Sequence, residues 1–153
     1  MRIEDQVCSL ELAKKLKELG VKQESAFYWV EIQIPFSDKT QFVFWRMDET
    51  KGTHPKGIHV KEYLSAFTVA ELGEMLPPSI EQKSLQGVKY FIYLEMDKHP
   101  DQRPRGWRFR VRYRPTFNEQ FAGFHNDEYH DDTEANARAK MLVYLIEKGI
   151  IKP

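Results

Sequence analysis

From Trp107 to Arg114, bulky apolar side chains alternate with arginine: Trp107, Phe109, Val111 and Tyr113 against Arg108, Arg110, Arg112 and Arg114. A β-strand sends successive side chains to opposite faces. The run therefore predicts a strand with four apolar groups turned inward and four guanidinium groups turned outward. Such a row can bind a ligand's phosphate or carboxylate, or it can be neutralised inside the fold. The apolar stretch 88–97 predicts an antiparallel neighbour whose outer face carries Phe91, Tyr93 and Glu95. One register that keeps the two core faces together sets Glu95 against Arg108, Tyr93 against Arg110 and Phe91 against Arg112. Rings beside guanidinium groups suit single-stranded nucleic acid, with arginines tracking phosphates and rings stacking on bases. The same row suits an acidic protein partner, and arginine also stacks on tyrosine with no ligand present. The binding residues expected are Arg108, Arg110, Arg112, Arg114, Phe91 and Tyr93.

A second constellation lies in 124–132. His125, Asp127, His130 and Asp131 are chemically competent ligands for a divalent metal and define the alternative, a metal-dependent enzyme. The two histidines are five residues apart, which is not the H-E-x-x-H spacing that sets two ligands on one helical turn. The competing reading is a solvated acidic lead-in to a helix, where carboxylates favour the positive end of the dipole. Glu95, Asp97, His99 and Asp101 form a smaller cluster near a hairpin tip. Cys8 precedes a helix start, where a thiol close to free donors becomes reactive, yet lone cysteines are mostly small buried apolar groups. There is no Gly-rich phosphate loop, no G-x-S-x-G and no C-x-x-C. No catalytic residue and no cofactor is expected.

Composition narrows the class. At 153 residues, 41% hydrophobic and 30% charged, the chain suits one globular domain, 1–153. Net charge is zero but segregated. Six of the nine arginines fall in 103–114, and six acids with no Lys or Arg fill 118–134. The two blocks can neutralise one another. One cysteine excludes an intrachain disulfide and suits a reducing compartment. The first twenty residues are charged throughout, so no signal peptide is expected. No run approaches the ~18 apolar residues of a membrane span.

The elements that must position these groups are marked by periodicity and caps. Ser9 predicts the N-cap of a helix whose Leu12, Leu16 and Leu19 share a face, ending at Gly20. Residues 26–34 and 42–47 read as a hairpin around Pro35. Thr68-x-x-Glu71 has capping-box spacing, and Pro77-Pro78 stops the helix it opens. Strands at 88–97 and 107–114 follow, then a helix over 134–148 ended by Gly149. The order predicts an α+β fold: an antiparallel sheet of about four strands with three helices packed mainly on one face.

Three segments carry a resemblance: Cys8–Gln23 (CSLELAKKLKELGVKQ) leading to Phe27-Tyr28-Trp29, Ser65–Pro77 (SAFTVAELGEMLP) and Thr133–Glu147 (TEANARAKMLVYLIE). Together they resemble small uncharacterised proteins encoded by bacteriophages and prophage regions. The resemblance covers about a third of the chain and implies a mobile-element origin and a cytoplasmic setting in a bacterial host. It carries no assigned activity. The function expected is a phage-related, non-enzymatic accessory or binding module that contacts nucleic acid or a protein partner, and no membrane, through strand 107–114.

Overall fold

Each helix begins and ends on a local device visible in its own residues. A computed structural model describes residues 3–46, 58–83, 89–100, 107–115 and 128–153, with backbone alone at Tyr90, His99, Pro100, Trp107 and Pro115. Helix α1 spans Leu10–Glu18, with the Leu12 N–H donating to the Ser9 hydroxyl. At its far end Gly20 takes φ +88, and the Gly20 and Val21 N–H groups donate to the Lys17 and Leu16 carbonyls. That is a Schellman motif, which satisfies carbonyls the helix leaves open. Helix α3, Glu134–Glu147, starts at Thr133 and ends on the same pattern around Gly149. Helix α2, Val69–Met75, has the full Thr68/Glu71 capping box. Glu71 also accepts from Ser25 Oγ and the Ala26 N–H, which ties α2 to the first strand.

The fold is α+β, as the element order predicts. Among the described residues the strands number seven and form two antiparallel sheets. One has the order β2-β1-β3, from Phe27–Gln33 (β1), Thr40–Arg46 (β2) and His59–Ser65 (β3). The other has the order β4-β5-β6-β7, from Ser79–Lys83 (β4), Lys89–Pro100 (β5), Trp107–Pro115 (β6) and Glu128–Asp131 (β7). Three of these strands, β3, β4 and β7, are absent from the sequence-based reading. They are short or polar, and a register shift in the β1–β3 pairing near Glu31/Ile32 interrupts regular alternation.

The larger buried cluster draws on α1, α2, α3 and both sheets. Leu16 of α1, Leu72 of α2, Leu142 and Leu145 of α3, Leu64 of β3 and Val111 of β6 are all essentially inaccessible. Tyr113 reaches in from β6 and donates its hydroxyl to the Pro77 carbonyl at 2.6 Å. Burial raises the pKa of this phenol, so it stays a donor at all ordinary pH. Cys8 is fully buried in the same core, and burial pushes its thiol up to about 12. It packs as an apolar group and has no thiolate to offer. A smaller cluster of Tyr28, Val30 and Ile32 lies on alternate residues of β1. Among the described residues, no helix is long and apolar enough to cross a membrane.

The β1–β2 turn contains one unfavourable choice. The Ser37 N–H donates to the Ile34 carbonyl, closing a turn with Pro35 and Phe36 at its centre. Phe36 has φ +61 and a fully exposed ring. A side chain in this left-handed region costs about 1–2 kcal/mol. Phe36→Gly removes that cost and adds back a smaller entropy loss on folding. It is expected to stabilise the protein by about 0.5–1 kcal/mol in urea unfolding. A destabilised variant would show that the ring contributes a contact in the folded state.

Candidate nucleic-acid interface

The alternation predicted for β5 and β6 places their side chains as expected, but the register differs. Glu95 lies opposite Arg112, Asp97 opposite Arg110, Tyr93 opposite Arg114 and His99 opposite Arg108. This is a slip of four residues from the expected Glu95–Arg108 pairing, an even number that leaves every side chain on its face. The observed register sets two carboxylates directly across from two guanidinium groups, where the expected one so places a single carboxylate, Glu95. Opposite charges facing across strands stabilise a pair, which favours the register found.

The outer face of the second sheet is therefore a charge ladder. Arg112 donates through Nε and Nη2 to the two Glu95 oxygens at 3.0 and 3.1 Å. Arg110 grips Asp97 in the same two-pronged way, with Nε at 2.9 Å. Short β7 closes the other side. Glu128 lies opposite Arg112, and one of its oxygens is 3.6 Å from Arg112 and 3.7 Å from Arg110. Arg108 meets Asp132 at 3.6 Å and Arg114 meets Glu95 at 3.6 Å. The four guanidinium groups thus have four carboxylates: Glu95, Asp97, Glu128 and Asp132. Arg112 retains only 7% of its accessible surface. Its side chain is committed to the fold.

These contacts set the protonation states. The Arg112 guanidinium holds the Glu95 carboxyl below its ordinary value. His130, hydrogen-bonded at 3.0 Å, does the same for Glu128, with Arg110 and Arg112 adding to it. Asp97 raises the pKa of Arg110. The acidic block thus divides its work. Glu128 and Asp132 join the ladder. Asp131 accepts from the Thr133 N–H and from Asn136, and pairs with Lys140 at 2.7 Å, which anchors the start of α3. Burial opposes ionisation of Asp131, but these partners outweigh it and lower its pKa.

The aromatic half of the expected site behaves differently. Phe91 and Tyr93 sit two residues apart on β5, an interior strand of the sheet, and are 50% and 45% exposed. The rings are framed by two half-exposed ion pairs. On the β4 side Lys89 meets Glu81 at 2.7 Å, and on the β6 side Arg114 meets Glu95. Lys89 and Glu81 are absent from the sequence-based list. Ser79–Lys83 carries Ile80 as its one apolar side chain, so it gives no strand signal. Helix α3 packs against β6 and β7 from the opposite face. The result is a sheet with helical backing and an aromatic pair on its open side.

The metal constellation does not assemble among the described residues. His125 and Asp127 lie outside them, as does Asp101 of the smaller cluster. His130 is bonded to Glu128, and Asp131 accepts from Asn136 and pairs with Lys140. Among the described residues no group of three or more His, Cys, Asp or Glu is placed to hold a metal ion. No family model, no curated protein and no solved structure matches the chain.

Two outcomes follow for the ladder. Arg112→Met leaves carboxylates without their buried partner and is expected to cost about 2–4 kcal/mol in urea unfolding, against under ~1 kcal/mol for Arg108→Ala. Glu95, Glu128 and Asp131 have folded pKa values below their unfolded ones. Their stabilisation is complete above the unfolded values, about 4, and is lost as pH falls through the folded values. Stability is expected to be flat from about pH 7 to 5 and to fall below that. Glu95→Gln with Glu128→Gln is expected to shrink the acid loss, measured as the urea midpoint against pH.

Proposed function

We propose that this chain is a non-enzymatic, phage-related accessory module that binds single-stranded nucleic acid on the outer face of the four-stranded sheet. The binding centre is Phe91 and Tyr93, with Arg114 and Lys89 as the flanking cations. Arg108, Arg110 and Arg112 serve as the scaffold of that face. The observation that carries this reading is the pair of half-exposed rings on an interior strand of a sheet whose other face is backed by a helix. Residues at i and i+2 on one strand face are ~7 Å apart, a distance two successive unstacked bases can span. Stacking accepts any base, so the module is expected to bind without strong sequence preference. A duplex hides its base faces and is a poor ligand for such a platform.

The ladder shapes the expected energetics. Arginines already paired with carboxylates release few counterions, so binding is expected to be weak, with a Kd of about 1–100 µM at ~50 mM salt. The salt slope is expected near 1, from one or two phosphate contacts. Fluorescence anisotropy with labelled 12-mer poly-dT and poly-U, against a duplex of equal length, tests this. Phe91→Ala and Tyr93→Ala are each expected to weaken binding about 10–100-fold while the fold is retained. No binding of either single strand at 100 µM protein and low salt overturns the reading. Tight duplex binding with a steep salt slope would instead place the site on the arginine row.

A further inference from the structure

We infer that Glu81 and Glu95 limit the affinity of this same site for phosphate. They occupy the cations that a bound strand would use, and a phosphate must displace them. The inference rests on the stacking-platform reading above.

The geometry is local. Lys89 and Arg114 are the cations framing the rings, and each is held by a carboxylate on the same sheet face: Lys89 by Glu81 at 2.7 Å, Arg114 by Glu95 at 3.6 Å. Both pairs are solvent-accessible, with side chains between 41% and 62% exposed. Exposed pairs of this kind are marginal and can be exchanged. They differ from the Arg112–Glu95 grip, whose arginine is buried. A phosphate arriving beside Phe91 therefore meets a cation whose present partner is weakly held. The carboxylate opposes any anion that comes to the cation. The pairs therefore hold down affinity for a polyanionic strand, and their charge is no obstacle to a neutral aromatic ligand.

Glu81 is the clean probe. Glu95 also anchors Arg112, so replacing it loosens the ladder. Glu81→Gln keeps the shape of the side chain and removes only its charge. It is expected to tighten poly-dT binding about three- to tenfold at ~50 mM salt and to steepen the salt slope by about 0.7, the contribution of one released cation. Glu62→Gln is the control, because Glu62 of β3, in the other sheet, forms a similarly accessible pair with Lys17 of α1. It removes the same charge from the chain and is expected to leave affinity unchanged. In a Lys89→Gln background, Glu81→Gln is expected to lose most of its effect.

Each result decides something. Tightening by Glu81→Gln alone, dependent on Lys89, supports the inference. Equal tightening by Glu81→Gln and Glu62→Gln, or none by either in a protein that binds poly-dT, overturns the inference and leaves the platform standing. No binding by wild type or by Glu81→Gln overturns both.

Discussion

The interaction on which the rest depends is the ladder of four guanidinium groups and four carboxylates across β5, β6 and β7. A four-residue strand such as β7 contributes few backbone hydrogen bonds and little apolar area. The carboxylate of Glu128, shared between Arg110 and Arg112, holds it in place. The last residue of β7, Asp131, then receives Thr133, Asn136 and Lys140 and sets where α3 begins. Helix α3 contributes six buried side chains to the core. A surface charge pattern thus governs the placement of the main core helix.

The ladder also decides what the arginines are available for. A buried arginine held by a bidentate carboxylate is costly to expose, because removing one partner leaves the other desolvated and unpaired. A ligand gains little by competing with Glu95 for Arg112. The cations at the open end, Lys89 and Arg114, are held by exposed pairs that exchange at small cost. Burial separates Arg110 and Arg112, the scaffold arginines, from Lys89 and Arg114, with Arg108 between them. The aromatic pair lies beside these exposed pairs.

Much of the fold was legible from residue pattern. Ser9, Gly20, Thr68, Glu71 and Gly149 each carry a local conformational preference, and each sits where that preference placed it. The face alternation of β5 and β6 follows from period two and holds in any even register. The register itself was not legible from the apolar face, because several even slips satisfy it; counting Asp97 with Glu95 against the arginines favours the one found, and the remaining charge partners add to it. Those partners include Glu128 on β7, whose four residues contain one partly buried aromatic, Tyr129, and no apolar alternation. The Lys89–Glu81 pair was hidden for a related reason: Ser79–Lys83 becomes a strand by pairing with β5, not by its own propensity.

A double-mutant cycle between Arg112→Met and Glu95→Gln, read by urea unfolding at pH 7, measures the ladder directly. If Arg112 is a scaffold residue committed to Glu95, the two changes are strongly non-additive, with a coupling of about 1–3 kcal/mol. Additivity within about 0.5 kcal/mol would contradict that commitment and return Arg112 to the set of arginines available to a ligand.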